Sequence, residues 1–374
     1  MHADIRPFRL EIPQSDLDDL HDRLARARYA QHVPGTGPER GIPVDDLREL
    51  ADYWRTGFDW RAQEAALNAY PQYVTDIDGQ RVHFLHVTSS HPDATPLLIT
   101  HGFPSSVAEF LRLIEPLVNP EEGQAFHVVA PSLPGYTLST PLSGTGWSMA
   151  RTGRAWVELM RRLGYERYAV HGGDVGAGIS GMVASFDPEH VIGIHVVTDP
   201  LTAAATATFI PGMADRLNAD DPVDKLILTR IAEFQQDGSG YLAIQNTRPQ
   251  TIGYGLVDSP IFQLAWIAEK FAEWTERPVD RDQLLTTVSL YWFTASGSTA
   301  AHTLYDQAHS TDWGGPTSVP QGFAAFGSDD TVRRLVPAPD NAHWTDFPHG
   351  LHFPAMEAPA DLAADLRAFF GPLR

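Results

Sequence analysis

Residues 14–28, QSDLDDLHDRLARAR, place Leu17, Leu20 and Leu24 at three- and four-residue intervals with charges between them. That spacing predicts an amphipathic helix, with Ser15 as its N-cap. Residues 44–69 carry Trp54, Phe58 and Trp60 and predict one or two more helices, together a helical module packed on the main body. The pattern changes at about residue 72. QYVTDIDGQRVHFLHVTS alternates around Asp78–Gly79 and predicts a hairpin. PLLIT (96–100), FHVVAPSL (126–133), YAVHGG (168–173) and VIGIHVVTD (191–199) are short apolar runs. Strands buried on both faces have that character. Helical segments separate them, among them SMARTGRAWVELMRRLG (148–164), with Ser148 as N-cap. Strands alternating with helices imply an α/β fold with a mostly parallel sheet covered on both faces.

The alternation stops near residue 200. Residues 201–310 are helical segments and loops, and strand signals resume with GFAAFGS (322–328) and HWTDF (343–347). A final amphipathic helix, APADLAADLRAFF, closes the chain. A helical insertion at the carboxyl ends of sheet strands commonly serves as a lid. The organisation is therefore an N-terminal extension (1–90), a core in two parts (91–200 and 311–374) and a helical lid between them (201–310). No internal repeat or low-complexity tract interrupts it.

Composition narrows the chemistry. The 374 residues are long enough for one large core or two smaller ones. There is no cysteine, which excludes disulfides, thiolate zinc sites and a cysteine nucleophile. The formal charge of −20 opposes nucleic acid and anionic lipid as partners. The only lysines are Lys225 and Lys270, both in helical segments, which disfavours a Schiff base. MHADIRPFRLEIPQSDLDDL lacks a signal pattern, and no run approaches 18 uncharged apolar residues. These features predict a soluble, cytoplasmic protein.

The chemistry concentrates at HGGDVGAGIS (171–180). An apolar run that turns sharply into a helix, with glycines around one polar residue, is the form of a nucleophile elbow. The polar residue here is Asp174. In an α/β-hydrolase the nucleophile is followed in the chain by an acid and then a histidine. Asp329 and Asp330 follow GFAAFGS, and His349 and His352 follow HWTDF, so order and spacing fit. No G-x-S-x-G occurs anywhere in the chain, so a serine hydrolase is poorly supported. HGFP (101–104) follows PLLIT, where this fold places a loop N–H for an oxyanion hole. An aspartate at a strand-to-helix turn is by itself more often an N-cap, and Asp329 could merely cap a helix starting near Thr331. The combination in this order favours catalysis. Glu357 reads as a tether for the histidine loop.

These residues resemble the microsomal-type epoxide hydrolases of the α/β-hydrolase superfamily, over nearly the whole chain. IRPFRLEIPQSDLDDLHDRL, FDWRAQEAALNAYPQY and VHFLHVTS are similar to the family's N-terminal domain. HGFPSS, APSLPGYTLS, GWSMAR and HGGDVGA follow in family order, then SGYLAIQNTRPQTIGYGLVDSP, YWFTASGSTAAHTLY, GFAAFGSD and GLHFPAMEAP. The resemblance implies Asp174 as nucleophile, Asp329 as charge-relay acid, and His352 as the histidine followed by phenylalanine. It implies Tyr241 and Tyr305 as lid phenols on the epoxide oxygen, and the N–H groups of Phe103 and Val175 as the oxyanion hole. Three positions depart from the family pattern: Val175 replaces tryptophan, Gly327 replaces proline, and Leu351 stands where glycine is often found. The N-terminal span of the family's membrane-anchored members is missing.

An aspartate nucleophile makes sense for an epoxide. A serine would leave an ether; a carboxylate leaves an ester, which an oxyanion hole and an activated water can cleave. The implied substrate is a small apolar epoxide, with no cofactor, metal, nucleic acid or membrane involved; a homodimer is possible. The alternative is a haloalkane or haloacid dehalogenase, which uses the same triad. There a halide is held by indole N–H groups, often from a tryptophan right after the nucleophile, and Val175 offers none.

Overall fold

A computed structural model describes residues 5–210, 212–336 and 338–373. The chain opens with β1 (Arg6–Phe8) and three helices, α1 (Gln14–Ala25), α2 (Val44–Thr56) and α3 (Trp60–Asn68). The hairpin β2 (Gln72–Ile77) and β3 (Gln80–Val87) comes next. Then follow β4 (Thr95–Thr100), α4 (Leu111–Val118), β5 (Phe126–Pro131), α5 (Met149–Arg162), β6 (Tyr168–Gly172), α6 (Val175–Phe186) and β7 (Val191–Thr198). Among the described residues, seven α-helices separate β7 from β8 (Gln321–Phe326). They are α7 (Pro200–Ala207), α8 (Pro222–Glu233), α9 (Gly240–Gln245), α10 (Pro249–Asp258), α11 (Pro260–Glu273), α12 (Arg281–Phe293) and α13 (Ser296–Ala308). The chain ends with α14 (Asp330–Leu335), β9 (His343–Phe347), α15 (Pro354–Glu357) and α16 (Pro359–Phe370).

The strands form one sheet in the order β1-β2-β3-β5-β4-β6-β7-β8-β9. The first three strands pair antiparallel, β3 pairs antiparallel with β5, and every pairing from β5 to β9 is parallel. The expected apolar runs are the central strands. Leu97, Leu98 and Ile99 of β4 and Ala169 and Val170 of β6 are all fully buried, as strands with helices on both faces must be. The hairpin turns at Asp78 (φ 52°) and Gly79 (φ 75°), the two left-handed residues a two-residue turn of this kind needs.

The N-terminal helices lie against the insertion. Trp54 Nε1 donates to Ser289 Oγ of α12 at 2.9 Å, and Trp60 stacks edge-on against Phe293, 4.9 Å between rings. Ser148 caps α5 as expected, accepting from Arg151 N. Ser15 does not cap α1. The helix starts one residue before it, at Gln14, after Pro13, and the Ser15 hydroxyl turns to the Asp16 carboxylate instead. Among the described residues no helix is long and apolar enough to cross a membrane.

Candidate active site

Asp174 sits between the end of β6 and the start of α6, at φ 52° and ψ −128°. A non-glycine residue held there is strained, and strain of this kind concentrates where a side chain must be presented. The flanking glycines make the turn possible. A Cβ on Gly172 would lie 2.3 Å from Gly176 O, and one on Gly176 would lie 2.0 Å from Thr100 O. The backbones of strand, elbow and helix are therefore too close for any side chain. Gly102 serves the same purpose from the β4 loop: its Cβ would fall 2.4 Å from Asp174 Cβ.

That close approach brings Phe103 N–H to Asp174 Oδ1 at 2.8 Å. Val175 is the first residue of α6, and its N–H is one of those an α-helix leaves without an intrahelical partner. The other carboxylate oxygen, Oδ2, is 3.7 Å from His352 Nε2. His352 is held from several sides. Its N–H donates to Trp274 O at 3.1 Å, and the Trp274 ring packs 4.9 Å from the imidazole. Glu357 accepts from Leu351 N at 3.0 Å and from Glu276 N at 2.8 Å, so it does tether the histidine loop. His349 is exposed.

The acid facing His352 is not the expected one. Asp329 follows β8 and accepts from Thr331 N, so it caps α14, and its carboxylate pairs with Arg230 of α8. Among the described residues no hydrogen bond or ion pair joins Asp329 to His352. The carboxylate at His352 Nδ1 is Asp199, 3.3 Å away through Oδ2. Asp199 follows β7 and caps α7, accepting from Leu201 N at 2.8 Å and Thr202 N at 2.9 Å. The Thr202 hydroxyl donates to Asp199 Oδ2 and lies 2.8 Å from His352 Nδ1. Sequence reasoning passed over Asp199. Its signal was the Asp-Pro pair at the end of VIGIHVVTDP, an N-cap followed by proline at a strand's carboxyl end.

The electrostatics follow from these contacts. Burial pulls the His352 pKa down, but the bond to Asp199 and the charges of Asp174, Asp199 and Glu109 outweigh it, and the pKa is raised. Burial pushes Asp199 up, yet the contacts with His352 and Thr202 win and hold it below the usual range. Glu109, buried in the turn at 107–110 that follows HGFPSS, is pushed up to about 7, chiefly by burial.

Tyr241 lies on α9 with its ring stacked on Phe103, 5.8 Å between centroids, and Lys270 Nζ sits 4.9 Å from that ring. Burial, then the charge of Asp174, raises its phenol pKa well above the ordinary value. Tyr305, on α13, stacks on His309 at 4.0 Å, and its hydroxyl makes no hydrogen bond among the described residues. No contact brings it to Asp174. A phenol that sequence reasoning did not single out, Tyr136, is fully buried, with Thr303 as its hydrogen-bonding neighbour. Burial and the charge of Asp174 raise its pKa too. Tyr136, Val175, Trp147 and Thr303 help line a cavity of ≈ 20 Å³, room for about one water.

A carboxylate on a strand-to-helix elbow, a loop N–H on one of its oxygens and a histidine beyond the other place this chain in the α/β-hydrolase class. The comparisons carry it further. The family described as the α/β hydrolase fold matches residues 95–236, and the one described as the epoxide hydrolase N terminus matches residues 5–110. A protein of Stigmatella aurantiaca is 40% identical, with 99% of this chain and 86% of that protein covered. Epoxide hydrolase 1 of Sus scrofa is 33% identical over 99% of this chain and 89% of its own length. The solved structure of Aspergillus niger epoxide hydrolase superposes with a TM-score of 0.82 at 30% identity, covering 100% of this chain and 97% of that one. The chain belongs to the epoxide hydrolase family.

Proposed function

We propose that this enzyme converts a small apolar epoxide and water to a vicinal diol through an ester on Asp174. The observation that carries the reading is the split duty of the Asp174 carboxylate. Oδ1 is held by Phe103 N–H at 2.8 Å, while Oδ2 is left facing His352.

In the first half-reaction Oδ2 attacks a ring carbon, and the ring C–O bond breaks. The departing oxygen takes a proton from a phenol. Tyr241 supports that role by its place over Phe103 and its proximity to the Asp174 charge; Tyr305 is the second donor that the family resemblance implies. In the second half-reaction His352 Nε2 removes a proton from water, and the water oxygen attacks the ester carbonyl carbon. The charge that develops on Oδ1 falls on the Phe103 N–H. Collapse breaks the bond to the alkyl oxygen, which takes the proton from the imidazolium. The acid form of Asp174 returns its proton to the phenolate, and the diol leaves.

The apolar and aromatic side chains next to Asp174 and His352, among them Phe103, Val175 and Trp274, support an apolar epoxide of the styrene or cis-substituted type. Such an enzyme serves detoxification or a natural-product pathway equally well, and nothing in the proposed chemistry requires a membrane. The test is a single turnover of styrene oxide in heavy-oxygen water with excess enzyme. Label must appear in the Asp174 carboxylate; label only in the diol overturns the covalent reading.

A further inference from the structure

Two aspartates stand at the carboxyl ends of neighbouring parallel strands, Asp199 after β7 and Asp329 after β8. Only one meets the imidazole. Sheet order does not choose between them, since Asp199 lies nearer the nucleophile strand β6 and Asp329 nearer β9, which leads into the histidine loop. The contacts choose. Asp199 touches His352 Nδ1, and Thr202 bridges the pair, whereas Asp329 is turned to Arg230 on the lid helix α8.

The surroundings of the two carboxylates differ as much as their partners. Asp199 is 2% exposed and Asp329 38%. A buried carboxylate must be paired or give up its charge. Among the described residues, besides the N–H and hydroxyl donors of α7, the one titratable group in contact with Asp199 is His352. This arrangement also sets the tautomer. With Nδ1–H directed at Asp199, the Nε2 lone pair faces Asp174, as a base acting on the water at that ester requires.

We propose that Asp199, bracketed by Thr202, is the positioning acid that orients His352 and stabilises its imidazolium, while Asp329 serves to anchor the lid through Arg230. The inference rests on the epoxide-hydrolase reading for its kinetic test, but its NMR test needs no substrate.

Asp199→Asn keeps an N-cap of nearly equal strength for α7 and removes the charge, so structural and positioning roles separate. With styrene oxide as probe, Asp199→Asn should leave the alkylation rate within a few-fold of the native enzyme. Ester hydrolysis should slow by roughly 10³–10⁴, as in other triads that lose this charge, and the ester-enzyme should accumulate by intact mass. The rise of its hydrolysis rate with pH should also move to lower pH, because in the ester-enzyme Asp199 and Glu109 are the carboxylates still facing His352 and one of the two has lost its charge. Asp199→Glu should recover part of the rate. Asp329→Asn should hydrolyse its ester within a few-fold of native, with the same pH profile. In the enzyme without substrate, the His352 imidazole pKa by NMR should fall in Asp199→Asn and hold in Asp329→Asn. Ester accumulation in Asp329→Asn, or native hydrolysis and an unmoved imidazole in Asp199→Asn, overturns the assignment. If Asp199→Asn does not fold, Asp329→Asn decides alone: native hydrolysis upholds the proposal and a trapped ester refutes it. Should no variant form an ester, His352→Gln included, the epoxide reading has failed, and the NMR result still judges the acid.

Discussion

Esterification of Asp174 removes a negative charge from beside His352, so the imidazole should hold its proton less tightly in the ester-enzyme than in the free enzyme. In the resting enzyme the imidazole lies between two carboxylates, 3.7 Å from Asp174 and 3.3 Å from Asp199, with its pKa raised. A unit charge at that separation is worth about 4 kcal/mol at an effective dielectric of ~20, a ceiling of about 3 pK units. The Asp174 side chain is 26% exposed, so solvent reduces the effect, and a fall of roughly 1–2 units is expected. The sign follows directly. Hydrolysis needs neutral His352, so its rate rises with pH through the pKa of the ester-enzyme. That pKa lies below the one the free enzyme shows.

Asp174→Asn imitates the uncharged ester without chemistry. His352 is one of 16 histidines, so its resonance is assigned by its loss in His352→Gln. Titration by NMR should put the His352 pKa of Asp174→Asn about one unit or more below native. Stopped-flow hydrolysis of the accumulated ester should show its pH limb displaced the same way. An imidazole pKa in Asp174→Asn equal to or above native would refute the electrostatic account.

Three further outcomes follow from the packing. Gly102→Ala places a Cβ 2.4 Å from Asp174 Cβ and displaces the neighbouring Phe103 N–H; hydrolysis of the Asp174 ester, followed by stopped flow, should slow by at least about 10², the scale of a lost oxyanion donor, while circular dichroism stays native. Tyr136→Phe removes a buried hydroxyl whose hydrogen-bonding neighbour is Thr303, so thermal unfolding should show stability changed by no more than about 1 kcal/mol. Gly327→Ala should cost more than Gly79→Ala, about 1 kcal/mol for left-handed backbone at both, plus a clash with Leu351 Cδ2 at 2.4 Å that only Gly327 meets. Leu351→Ala in the same chain should recover that difference in a chemical-denaturation cycle.

The central parallel strands were legible because burial on both faces leaves them mostly apolar residues, and the hairpin because Asp78–Gly79 names its own turn. β1 was not, being three edge residues, two of them exposed, with no periodicity to read. Ser15 misled because capping depends on where the chain enters the helix, and Pro13 starts it one residue early. Asp174, His352 and Phe103 were legible from their motifs. The acid facing His352 was not. TDP after β7 and GSDD after β8 are both plausible N-caps, and both aspartates do cap a helix. Which of them also meets the imidazole depends on how far a third loop reaches across the sheet, and local pattern carries no record of that.

Two of the departures from the family pattern turn out to be one. Gly327 has φ +54°, and a Cβ there would strike the Leu351 side chain and lie 3.0 Å from Gly350 O. A proline is excluded at that backbone angle, so Gly327 and Leu351 form a matched pair: the large residue before the histidine fills the space beside the glycine of the acid loop. Ser328 N closes that loop onto Phe347 O, and Asp329 then enters α14 as its cap, with Arg230 held across it. A loop shaped by Leu351 and tied to α8 has no need of the histidine. A histidine already bracketed by Asp199 and Thr202 has no need of the loop. The pairing of Gly327 with Leu351 and that of Asp199 with His352 are thus mutually consistent, and together they account for a family member with two aspartates in place and only one of them at the imidazole.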